Sequence, residues 1–125
     1  MLPAACIDRL PDQDLRILQS TPTERLSADI LWKDYHADAA KARSTYFRQP
    51  IVLSGVITAV GSDAPGQRFV LFGEGEKGGG VRANLLDEQA ADILGHIPPN
   101  QRLTLKCFCE GLSGETITLK SCVRP

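Results

Sequence analysis

The stretch Ile51-Val52-Leu53-Ser54-Gly55-Val56-Ile57-Thr58-Ala59-Val60 decides the fold. It is β-branched and apolar on both parities, with a glycine in the middle. An interior glycine in a strand marks a bulge or a sharp bend. The run therefore reads as a long first strand that coils around and serves two halves of a barrel. Downstream, Asp63-Ala64-Pro65-Gly66 is a turn and Arg68-Phe69-Val70-Leu71-Phe72 a second strand. Gly73 to Gly80 is a loop rich in Gly, Glu and Lys. Val81-Arg82-Ala83-Asn84-Leu85 alternates as a third strand. Asp87 to His96 is a short helix capped by Asp87, with Ala90, Ala91, Ile93 and Leu94 apolar, and Pro98-Pro99-Asn100 stops it. Leu103 to Cys109 is a fourth strand. Gly111-Leu112-Ser113-Gly114 turns the chain into a fifth, Thr116 to Val123.

Upstream, residues 27–47 carry a helical period. Ser27 is placed as N-cap, and Leu26 and Leu31 as the two halves of a hydrophobic staple. Ala28, Leu31, Trp32, Tyr35, Ala39, Ala42 and Tyr46 hold one stripe at steps of three and four. Lys33, Asp34, His36, Lys41 and Arg43 lie opposite, and Pro50 ends the segment. Residues 1–26 read as an extended arm with one short helix near Asp14-Leu15-Arg16-Ile17-Leu18. Helix, three strands, short helix and two strands is the element order of an OB-fold. The expected fold is mainly β: a five-stranded OB-fold barrel with an amphipathic N-terminal helix and a short helix between strands three and four. The expected domains are an arm, residues 1–26, and an OB-fold domain, residues 27–125, that includes the helix.

The 125 residues hold 14 Lys and Arg against 15 Asp and Glu, a formal charge of −1. That balance excludes a polybasic nucleic-acid arm and an acidic tail, but not a local basic patch. No run approaches the roughly 20 apolar residues of a membrane span. No complete signal peptide opens the chain. Leu2-Pro3-Ala4-Ala5-Cys6 nevertheless looks like the end of a bacterial lipoprotein signal, so a lipid anchor at Cys6 in a longer precursor stays open beside a frayed N-terminus. The compartment stays open with it, cytoplasmic or periplasmic.

The cysteines are Cys6, Cys107, Cys109 and Cys122. Cys107 and Cys109 share a strand face with Leu103 and Leu105, so they read as small core hydrophobes. Hairpin arithmetic places Cys122 opposite residues near Arg102–Thr104. Buried free thiols are the expectation, and a Cys109–Cys122 bridge would need a bulge or twist. The spacing fits no usual structural-zinc pattern.

These residues together resemble a family. Ser27-Ala28-Asp29, Leu31, Tyr35, Ala39-Ala40 and Tyr46 match it, then Val52-Leu53-Ser54-Gly55-Val56-Ile57 and Val81-Arg82-Ala83. Leu103 through Gly111 and Leu119-Lys120-Ser121-Cys122 complete a resemblance over residues 27–123 to the bacterial tRNA anticodon-binding-like OB-fold proteins. Asp38 and Cys107 stand where that pattern tends to have Asn and Gly. The resemblance implies nucleic-acid binding by analogy of fold, and fold does not establish function.

Enzyme signatures are missing from the sequence. The loop Gly73–Gly80 lacks the Gly-Lys-Ser/Thr ending of a phosphate loop and joins two strands rather than opening a helix. His36 and His96 read as surface residues. No metal or cofactor is expected. The remaining candidate is the outer face of strands two and three, where OB-folds bind oligonucleotides. If Phe69, Leu71, Val81, Ala83 and Leu85 point inward, then Arg68, Val70, Phe72, Arg82 and Asn84 point outward. By the same parity Lys106, Phe108 and Lys120 face out on the last hairpin. Arg68, Phe72, Arg82, Asn84, Lys106 and Phe108 are the expected contacts for single-stranded nucleic acid, with cations on phosphate and rings on bases. The alternative is an envelope-associated protein-interaction domain or scaffold, with a protein partner covering the same face.

Overall fold

The structure is a computed structural model, and it describes residues 13–63, 66–73, 80–98 and 100–125. The sequence readings at Cys6, Ala64-Pro65, Pro99 and residues 74–79 of the glycine-rich loop lie outside those residues. A 3-10 turn, Leu15–Leu18, precedes β1 (Glu24–Ser27), α1 (Ala28–Ala37) and α2 (Ala39–Tyr46). Then follow β2 (Pro50–Asp63), β3 (Gln67–Phe72), β4 (Gly80–Leu85), α3 (Asp87–Gly95), β5 (Arg102–Ser113) and β6 (Thr116–Val123). The chain is mainly β. Its sheet runs β1-β2-β3-β4-β6-β5, and β2 also pairs with β5, so the hydrogen-bonded order returns to β2.

The decisive stretch does serve two partners. The first half of β2 is antiparallel to β5, with Ile51 opposite Cys107 and Leu53 opposite Leu105. The second half is antiparallel to β3, with Ala59 opposite Leu71 and Gly61 opposite Phe69. A register shift between Ile57 and Ala59 separates the halves. Gly55 has a steric reason as well. A Cβ there would lie 3.0 Å from Phe72 Cδ1 and 3.1 Å from Ala28 Cβ. The bare backbone lets Phe72 and the start of α1 close on the strand.

The segment 27–47 is two helices rather than one. Asp38 takes an extended conformation at φ −157°, its N–H bonding Asp34 O at 3.1 Å to finish α1. Its carboxylate then accepts Lys41 N–H at 3.1 Å and caps α2. Most of the apolar stripe survives the break: Ala28, Leu31, Tyr35, Ala42 and Tyr46 are buried, but Trp32 is half-buried and Ala39, expected in the stripe, is exposed where the helix breaks. Ser27 caps α1 as expected, accepting Ile30 N–H at 3.2 Å. Asp87, the expected cap of the short helix, is instead its first residue. Its N–H goes to Gln13 Oε1 at 2.6 Å, so the N-terminal arm supplies the cap. The arm also contributes β1, parallel to Ile51–Ser54 of β2. Glu-Arg-Leu-Ser shows no strand alternation, and its conformation comes from the open edge beside it.

The cysteines differ from expectation. Cys107 is bonded to Cys122, with Cα atoms 4.3 Å apart, and Cys109 alone of the three is a free buried thiol. The cause is a bulge. Between the pairs Lys106–Val123 and Phe108–Lys120, β5 has only Cys107 while β6 has Ser121 and Cys122. Ser121 takes up the extra residue at φ 56°. One inserted residue reverses the parity of the strand end and turns Cys122 inward toward Cys107.

Candidate nucleic-acid interface

The outer face is built by β3 and β4, and β3 has the parity opposite to that expected. Val70 and Phe72 are in the core at 0% and 1% exposure. Phe69 and Leu71 are half-buried on the other side. The sequence Arg-Phe-Val-Leu-Phe is apolar on both parities, so alternation cannot choose a face. Two glycines of β2 choose it. Gly55 makes room for Phe72 inside, and Gly61 offers bare backbone to the Phe69 ring, whose Cζ would be 2.6 Å from an added Cβ. Phe72 is therefore withdrawn from the candidate set, and Phe69 takes its place. A glycine paired across from an aromatic was the signal available in the sequence, but only the register reveals the pairing. On β4 the expected parity holds, with Val81, Ala83 and Leu85 buried and Arg82 and Asn84 half-buried.

Arg82 is the centre of this face. Its guanidinium carbon sits 3.8 Å from the Phe69 ring centroid, a cation–π contact. Its Nε donates to Asn84 Oδ1 at 2.8 Å, and its terminal nitrogen pairs with Asp63. Arg68, on the neighbouring strand, pairs with Asp87 at 3.3 Å. Arg82 and Asn84 are thus brought together as expected, whereas Arg68 has the parity of the buried Val70 and Phe72 and turns to the start of α3 instead.

Lys106 and Phe108 are not free on that surface. Residues 13–20 run across the last hairpin and cover it. Ile17 is fully buried in a small cluster with Leu86, Phe108 and Val123. Asp14 N–H donates to Ser121 Oγ at 2.8 Å, and Lys106 Nζ donates to Ser20 O at 3.0 Å. Phe108 keeps the outward direction expected of it but is capped by the arm. Lys120 pairs with Glu110 at 3.3 Å. Every cation on this side has an anionic or carbonyl partner.

The remaining titratable groups are held away from solvent or lie on the surface. Tyr35 Oη is 3.6 Å from Cys109 Sγ, and burial pushes both the phenol and the thiol upward, keeping them protonated. Tyr46 Oη donates to Asp34 Oδ2 at 2.6 Å, and burial raises its pKa as well. His36 stacks on Trp32 at 3.8 Å and His96 lies beside Asp92, both exposed. No helix of the described residues is long and apolar enough to cross a membrane.

Fold and face together define a β-rich domain that carries a cation and a ring on one sheet surface and buries a disulfide and a free thiol. A family model, tRNA_anti-like, matches residues 9–123, and the chain belongs to that family. Among solved structures, the fold is similar to that of a "putative nucleic acid-binding lipoprotein" from Klebsiella pneumoniae subsp. pneumoniae MGH 78578. The TM-score is 0.60 at 16% identity, over 88% of this chain and 95% of that one. No curated protein matches the chain.

Proposed function

We propose that the protein is a non-enzymatic OB-fold binding module whose ligand is single-stranded nucleic acid. The barrel reading is supported by the sheet order that returns to β2 and by the parallel β4–β6 pairing. The ligand face is the outer surface of β3 and β4, with Phe69, Arg82 and Asn84 as contacts. The observation that carries this is the Arg82 guanidinium lying on Phe69 at 3.8 Å with Asn84 in hydrogen-bond reach. Such a group offers a phosphate a fixed fork and a base a stacking surface. The test is fluorescence anisotropy with a labelled fifteen-nucleotide oligothymidine. Binding should be steeply salt-dependent and should weaken clearly in Arg82→Ala. No binding by the wild-type chain at about 50 mM salt sinks the reading.

A second reading has its own observation. The Cys107–Cys122 bond favours an oxidising compartment, since disulfides are rare in cytosolic proteins. It supports an envelope-associated domain with a protein partner, anchored through Cys6 in a longer precursor. Cell fractionation with thiol alkylation before lysis distinguishes the two. Cys107 and Cys122 alkylated in the cytoplasmic fraction would reject the envelope reading.

A further inference from the structure

Arg68 and Arg82 are each paired with an acid, but two arginines without such a partner among the described residues meet at another place. Where α2 passes into β2, two arginines surround one ring. The Arg43 guanidinium carbon lies 3.8 Å from the Phe47 centroid and that of Arg48 lies 5.0 Å from it. Both arginines are exposed. Among the described residues neither has a carboxylate partner, in contrast to Arg68, Arg82 and Lys120. Of the acidic groups on elements packed at this corner, Asp34 is engaged by Tyr46, Glu110 by Lys120 and Asp38 by the Lys41 N–H, while Glu24 of β1 and Asp29 of α1 form no ion pair with either arginine among the described residues.

The corner is also held rigidly. Arg48 sits in the left-handed region at φ 62°, a conformation that costs a non-glycine residue about 1 kcal/mol or more. Two bonds hold it there: Arg48 N–H to Cys109 O at 2.6 Å, and Cys109 N–H to Gln49 O at 3.2 Å. Phe47 rests on Gly111 of β5, with a would-be Cβ at 3.7 Å from the ring. Strain of this kind persists only where the surroundings over-determine it, and it concentrates at binding sites.

We propose that Arg43, Phe47 and Arg48 form a second contact point for the single strand, binding its phosphodiester backbone. This rests on the nucleic-acid reading above and adds an electrostatic contact outside the β3–β4 face. Ring-supported guanidiniums present planar forks, which match phosphate oxygens in pairs. Anionic-lipid recognition instead uses clusters of about four to eight cations, and this corner has two.

The test uses the full chain and the same oligothymidine. Arg43→Ala/Arg48→Ala should weaken binding about tenfold and make the salt slope shallower by about 1.4, the value for two single-strand phosphate contacts. Arg43→Gln/Arg48→Gln should do the same, with thermal melting of both variants matching the wild type. If both variants bind as the wild type does while Arg82→Ala weakens binding, the corner is rejected and the nucleic-acid reading stands. If the wild type ignores the oligonucleotide, that reading falls, and the corner falls with it as a nucleic-acid contact. Wild-type binding to phosphatidylglycerol vesicles that is lost in Arg43→Ala/Arg48→Ala would then assign the corner to lipid and overturn the proposal.

Discussion

Two places in this protein repeat one arrangement. On the β3–β4 face Arg82 lies over Phe69, and Phe69 lies on Gly61. At the α2–β2 corner Arg43 lies over Phe47, and Phe47 lies on Gly111. The ring-to-cation distance is 3.8 Å in both. What differs is the surrounding charge. Arg82 is bound by Asp63 and Asn84, whereas Arg43 has a second arginine beside the same ring and no ion pair among the described residues. A stacked arginine alone therefore says little about ligand binding. Its ion pairs decide whether the charge is available to a polyanion.

Breaking the framework between the two stacks should have the largest effect. The Cys107–Cys122 bond joins β5, which supports Phe47, to β6, which lies beside Arg82. Reduction should cost about 3 kcal/mol for a loop of this size. Urea denaturation with and without dithiothreitol measures it, and coincident curves would show that the bond does not support the fold. Gly55→Ala comes next. The new methyl would press on Phe72 and Ala28 together, both in the core, for a loss of about 1–3 kcal/mol from overpacking. A melting temperature equal to wild type would mean that the seam between α1 and β2 is looser than these distances imply.

Asp63→Asn sharpens the contrast itself. It removes the acid from the Arg82 stack and makes that site resemble the corner. Oligonucleotide affinity should rise about threefold at low salt, with the gain vanishing at high salt. An affinity that stays level would exclude Arg82 from phosphate contact. The smallest effect is on pH dependence. Cys109, Tyr35 and Tyr46 lie under or beside the corner, and burial raises all three pKa values. The folded chain thus keeps protons that the unfolded chain releases at alkaline pH. Their stabilisation is complete below the ordinary thiol pKa of about 8.5 and declines as pH rises past it and past about 10. Melting temperatures at about pH 7, 9 and 10.5 should fall in that order. A flat profile would contradict the burial of these groups.

Much of the fold was legible. The Ile51–Val60 run, the Ser27 cap, the short helix and the final hairpin all follow from local pattern. The candidate site was legible only where a strand alternates cleanly. Val81-Arg82-Ala83-Asn84-Leu85 has one polar and one apolar face, so Arg82 and Asn84 were placed correctly. Arg68-Phe69-Val70-Leu71-Phe72 is apolar on both, and its parity was reversed. Phe108 pointed outward as read, yet Ile17, ninety-one positions earlier in the chain, covers it. Cys122 was turned by one extra residue at Ser121, which local alternation does not announce.

The sequence by itself determined the five later strands with the short helix among them, the Ser27 cap and most of the helical stripe. Those follow from period, capping and steric volume, which act within a few residues. Tertiary structure alone decided the face of β3, the partner of Cys107, the covering of Phe108 and the pairing of each arginine. Each depends on register between strands far apart in the chain, and a shift of one residue reverses every side chain beyond it. The formal charge of −1 is an average over both kinds of surface. Only the fold separates arginines held by acids, such as Arg82, from those that are not, such as the two at the corner.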